Sequence, residues 1–113
     1  MNTMTSLEEL VVSAQKLEAA DLLAQADYTL LVATMDGLEP AGLLPPGFLA
    51  RVKESQKQVD KALAQRSRGG EERELRLRMG LLFQELWEIT LAGRKFYAGD
   101  RQGAAAYNLE LLQ

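Results

Sequence analysis

Glu85 and Glu88 sit inside the aromatic-rich stretch LLFQELWEITLAGRKFY, residues 81–97. No basic residue stands three or four positions from either, so neither has a helical ion-pair neighbour. Carboxylates at i and i+3 could share a metal ion, or work as acid and base if one pKa were raised. Both chemistries need more than the chain supplies. Di-metal sites in bundles use Glu-x-x-His with further Glu residues, and there is no His. Acid–base work needs a buried carboxyl, yet on a helical wheel centred on Leu86 Glu88 falls far from the apolar face and Glu85 on its flank. Cys is absent too, which excludes thiolate nucleophiles, disulfides and Cys-based metal sites. The sequence has no Walker A loop, no G-x-G-x-x-G and no G-x-S-x-G. Ser and Thr without His or a paired Lys make no convincing nucleophile. These residue types argue against an enzyme and imply no metal or cofactor.

Two other polar features could do chemistry. Lys53, Lys57 and Lys61 form an i, i+4, i+8 row, with Arg66 and Arg68 beyond, which could grip phosphates. The row lacks interleaved aromatics and belongs to a chain of pI about 5.0, so nucleic acid is disfavoured and a solvated face expected. Asp21 is the one charge on an otherwise apolar seam. A buried unpaired carboxylate is costly, so the expected arrangement is pairing with Lys61 or Arg66. Charge along the chain supports that pairing. Residues 1–39 carry seven acids against Lys16 alone, while residues 46–70 carry six bases against Glu54 and Asp60. Complementary neighbouring helices would have this pattern, each surface pair contributing only tenths of a kcal/mol.

The elements that must position these groups are helices. At 113 residues, with 47% hydrophobic and 26% charged residues, the chain has the size and composition of one globular domain, residues 1–113. Thr5 with Glu8, or Ser6 with Glu9, has capping-box spacing. Leu7, Leu10, Ala14, Leu17, Asp21, Ala24, Tyr28, Leu31 and Met35 then alternate steps of three and four, predicting one long first helix closed at Asp36-Gly37. An alternative has a break at Asp21, giving two shorter helices. After the connector LEPAGLLPPG, Pro46 suits the first position of a second helix reaching about Arg66, with Leu49, Val52, Gln56, Val59 and Leu63 inward. Gly69-Gly70 forces the third helix back antiparallel, its seam Leu75, Met79, Leu82, Leu86, Ile89, Gly93 and Phe96. That register brings Glu85 and Glu88 level with Arg51, Lys53 and Lys57. Gly93 implies either close packing or a kink. Gly99-Asp100 is a stop followed by an N-cap, and AAAYNLELL can form a short fourth helix. The expected fold is all-α: an antiparallel up-and-down bundle of three long helices and a short fourth.

Two helices have more apolar residues than one core can bury. On the third, Leu77, Leu81 and Leu91, with Trp87 at the edge, lie away from the seam. The first has a surplus in Leu22, Leu23 and Leu30. The short fourth helix should cover part of this surface and a homodimer contact some of the rest. The expected role is therefore a protein-interaction or scaffold module. A second reading is a carrier or sensor of a small apolar ligand held between the helices, walled by Tyr28, Met79, Phe83, Trp87 and Tyr97.

The ending KFYAGDRQGAAAYNL, after a leucine-rich helix, resembles the C-terminal part of uncharacterised bacterial four-helix-bundle proteins. An aromatic pair, a short Asp-containing turn and a final aromatic carry the resemblance, which implies the fold and no activity. The start MNTMTSLEEL lacks the basic and apolar regions of a signal peptide, and no apolar run is long enough for a membrane span. The expected location is the cytoplasm.

Overall fold

The computed structural model describes residues 18–109. Within them, α1 spans Ala19–Asp36, α2 Phe48–Ser67, α3 Glu72–Phe96 and α4 Arg101–Ala104. Each of the three long helices packs on the other two, and α4 packs on α3. The short turn at Arg68–Glu71 sends α3 back along α2, so Glu54, Ser55 and Gln58 line one shallow groove with Arg78 and Leu81. The course is up, down and up, as an all-α antiparallel bundle requires. The C-terminal ends of α1 and α3 therefore meet at the same end of the molecule.

The inward faces of α2 and α3 follow their seams. Leu49, Val52, Val59 and Ala62 of α2 meet Leu75, Met79, Leu82, Phe83, Leu86 and Ile89 of α3 in one buried cluster. Fully burying a Val, Leu, Ile, Phe or Met side chain is worth about 1.5–3 kcal/mol, so this pair of faces contributes strongly to stability. Phe96 departs from the seam. It lies at the last turn of α3, 43% exposed, with its ring edge-on to Tyr97.

The first helix differs from its heptad reading in two respects. Glu18 is extended (φ −70°, ψ 131°), so α1 starts at Ala19 and runs through Asp21 to Asp36, and neither the long helix nor the alternative break at Asp21 describes it. The residues Leu7 to Leu17 of the expected seam lie outside the described residues. The buried face is also another one: Ala19, Leu22, Ala26, Thr29, Leu30 and Ala33. Leu22 and Leu30, which looked surplus, are core, whereas Ala24, Tyr28, Leu31 and Met35 are exposed. Asp21 accounts for the choice, because turning that seam inward would bury its carboxylate. Asp21 instead sits in the first turn, where the helix dipole favours an acid.

Helix ends are closed by identifiable groups. Gly37 adopts φ 67° after α1, and Leu38 donates back to the Ala33 carbonyl while Gly37 donates to Thr34, a Schellman closure. Leu38 is fully buried, which anchors the connector to the core. The second helix begins two residues later than Pro46 suggested. Gly47 is its left-handed N-cap, and the Glu39 carboxylate accepts from the Gly47 and Leu49 amides at 2.6 and 3.3 Å. An acid eight residues upstream thus does the work of a capping side chain. The fourth helix also falls earlier than expected. Asp100 caps it, accepting from the Gln102 and Gly103 amides. After Ala104 a turn and irregular backbone deliver Tyr107 and Leu109 into the core, and residues 110–112 of the expected AAAYNLELL helix lie outside the described residues.

Candidate functional site

The polar groups that converge most closely are at the shared end of α1 and α3. Tyr97 donates its hydroxyl to Asp36 Oδ1 at 2.7 Å, and Tyr107 donates to Asp36 Oδ2 at 2.6 Å. Each ring lies on a glycine. A Cβ at Gly93 would overlap the Tyr107 ring, and one at Gly103 would overlap the Tyr97 ring. Gly93 is therefore a close-packing point, and the helix continues through it. Arg94 completes the arrangement, donating Nε–H to the Tyr107 carbonyl at 3.0 Å while its guanidinium lies 5.6 Å from the Trp87 ring centroid.

Chemically this cluster is a clasp. Tyr107 is 1% exposed, and burial followed by its hydrogen bond to Asp36 pushes its phenol well above the ordinary value. The Tyr97 phenol is raised as well, first by its bond to Asp36. Protonated phenols with raised pKa values are poor bases and poor nucleophiles near neutral pH. Both carboxylate oxygens already accept from phenols, so the cluster holds chain segments together and presents no free reactive group.

The residues singled out by sequence are dispersed. Glu88 is exposed and Glu85 half-buried, with Glu85 Oε1 shielded from solvent and without a hydrogen-bond partner among the described residues. The expected level pairing with Arg51, Lys53 and Lys57 forms no ion pair among the described residues. Arg51 lies over the Phe48 ring instead. No cluster of three or more His, Cys, Asp or Glu side chains among the described residues could hold a metal. Asp21 is exposed and pairs with neither Lys61 nor Arg66. Arg66 reaches Glu72 at 3.5 Å, across the turn between α2 and α3. Lys53, Lys57 and Lys61 are all exposed.

Of the apolar candidates, Leu77, Leu81 and Leu91 are about half exposed and Trp87 is partly covered. They form a row along α3 away from the core. The five suggested wall residues are not brought together. Met79 and Phe83 are sealed in the core, Tyr97 is engaged by Asp36, Trp87 stacks with Arg94, and Tyr28 is half exposed. The grooves that described residues line run between α1 and α2, along α2 and α3, and at the α2–α3 turn. Sequence reasoning missed Asp36 and Tyr107 as polar partners. The available signal was weak: Gly103 six residues after Tyr97 and Gly93 fourteen before Tyr107, on either side of a capped turn.

No helix among the described residues is long and apolar enough to cross a membrane. No family model, no curated protein and no solved structure matches the chain.

Proposed function

We propose that this chain is a non-enzymatic interaction or scaffold module that works through exposed helix surfaces and self-associates through α3. The observation that supports it is the pair of exposed apolar rows on helices whose opposite faces are fully used in the core. Leu77, Leu81 and Leu91 on α3 are each about half exposed, as is Tyr28 on α1, while Leu31 and Met35 reach 58% and 76%. Single exposed leucines are ordinary on protein surfaces, but Leu77 with Leu81, and Tyr28 with Leu31 and Met35, stand one turn apart, the spacing of helix–helix contacts. The polar clasp at Asp36 is consistent with the same reading, since it spends its hydrogen bonds on internal structure. The resemblance of the C-terminal segment supports a bacterial origin.

Light scattering coupled to size exclusion tests the self-association. A dimer is expected at roughly tens of micromolar, and Leu77→Glu with Leu81→Glu should convert it to a monomer of unchanged helical content. A strict monomer of the unaltered chain at that concentration would overturn it.

A further inference from the structure

The groove between α1 and α2 has an apolar floor and one cationic lip. Its open volume is about 420 Å³ at the half where Leu30, Leu31, Thr34, Lys53 and Lys57 line it together with Asp27 and Gln56. Thr34 turns its hydroxyl back to the Leu30 carbonyl at 2.8 Å, leaving its methyl as the outward group. Asp27 and Gln56 form the groove's centre, where Gln56 Nε2 donates to Asp27 Oδ1 and to the Leu23 carbonyl. A second, smaller hollow continues past them to Leu23 and Asp60. From Leu23 to Thr34 the groove follows α1 for about three helical turns, roughly 16 Å at 1.5 Å per residue.

Charge decides what this groove fits. Lys53 and Lys57 are exposed, stand one turn apart on the same side, and form none of the ion pairs among the described residues. Lys61 extends their row by another turn. The acids at the groove are Asp27, which accepts from Gln56, and Asp60 at the far end beyond Lys57. Asp27 offsets one of the two lysines lining the half with the apolar floor, which leaves that half net positive, with both cations on the α2 lip. On the other side α1 offers Leu31, and beyond it Tyr28 and Met35, as exposed apolar surface.

We propose that this groove docks an acidic amphipathic helix of a partner protein. Its apolar residues, at i, i+3 or i+4 and i+7, would sit on Leu30, Leu31 and Thr34, with carboxylates on one flank against Lys53 and Lys57. The proposal rests on the reading of the chain as an interaction module, and it uses a surface separate from the α3 leucine row. Long-range attraction between the flank and the lysines would speed association, and salt would weaken it.

The test uses two fluorescein-labelled helical peptides of about four turns, both with leucines at heptad a and d positions. One carries Glu at the flanking e and g positions and the other Lys. Fluorescence anisotropy with the full chain should show micromolar binding of the Glu peptide, and binding of the Lys peptide weaker by about tenfold or more. A Lys53→Glu/Lys57→Glu variant should lose about tenfold in affinity for the Glu peptide, and Leu31→Glu a similar amount, with Leu81→Glu unchanged. Raising salt from about 50 to about 500 mM should weaken the complex several-fold. Equal affinity for both peptides, unaltered binding by the lysine variant, or no binding at hundreds of micromolar overturns the proposal. Conversion of a dimer to a monomer by Leu31→Glu also overturns it, by assigning the groove to a second copy. Peptide failure beside an intact dimer that depends on Leu77 and Leu81 would remove the groove and leave the module reading standing.

Discussion

Asp36 closes α1 at the end where unpaired backbone carbonyls already concentrate negative potential, a position that costs an acid about 0.3–1 kcal/mol. Its two phenol donors offset that cost with charge-assisted hydrogen bonds, which are shorter and stronger than neutral ones. No local pattern links the donors to Asp36, because they stand 61 and 71 residues away. What the sequence did reveal is the local half, an Asp-Gly pair ending a helix. The clasp has a consequence on the alkaline side. In the unfolded chain the phenols ionise near their ordinary value of 10.0, whereas folding raises both Tyr97 and Tyr107 above it. Above about pH 10 the unfolded state therefore binds fewer protons than the folded one, and stability falls as pH rises. Below that pH the contribution is present in full. Urea unfolding followed by circular dichroism should show a midpoint that declines from about pH 10 upward. Tyr107→Phe should lower stability near neutral pH by about 1–2 kcal/mol and flatten the alkaline decline. Parallel alkaline limbs for the two proteins would refute the assignment.

Helices α2 and α3 were legible because large apolar residues mark the whole length of their inward faces and their breaks carry Gly and Pro. The first helix was misread for a physical reason. Its buried stripe is built mainly from Ala19, Ala26, Thr29 and Ala33, small side chains that contribute little to a hydrophobic pattern but let the helix approach the core closely. Its bulkier Tyr28, Leu31 and Met35 point outward. The third helix uses smallness in the same way at Gly93, where Tyr107 takes the place of a side chain. Gly93→Ala should therefore destabilise the protein, although alanine gains about 1 kcal/mol of helix propensity. Overpacking against a ring held by Asp36 and the core should cost about 1–3 kcal/mol, enough to outweigh that gain. In a Tyr107→Ala background the ring is gone, and the same substitution should become stabilising. Denaturation of the four proteins of this cycle separates the two effects, and a coupling energy near zero would show that the ring is not the obstacle.

At the scale of the whole molecule, three helices leave the bundle open at one end, and an irregular segment closes it. Tyr107 and Leu109 are fully buried although neither lies in an α-helix, and Tyr107 is among the largest buried side chains. A single capped turn at Arg101–Ala104 reverses the chain and brings Gly103 under Tyr97, after which turns carry the last aromatic inward. Closure is then a property of the complete assembly. It draws on Asp36 from α1, Gly93 and Arg94 from α3, and two residues of the tail. A chain ending at Ala98 should keep its α-helical content but lose close packing, because removing buried side chains the size of Tyr and Leu costs about 3–5 kcal/mol for an aromatic alone. Far-UV circular dichroism should remain helical, near-UV signals from Trp87 should weaken, and an apolar dye should bind, the signature of a compact state without fixed packing. The outcome that would sink this account is a truncated chain with the urea midpoint of the full one. The tail would then be an attachment on a core already closed by α1, α2 and α3.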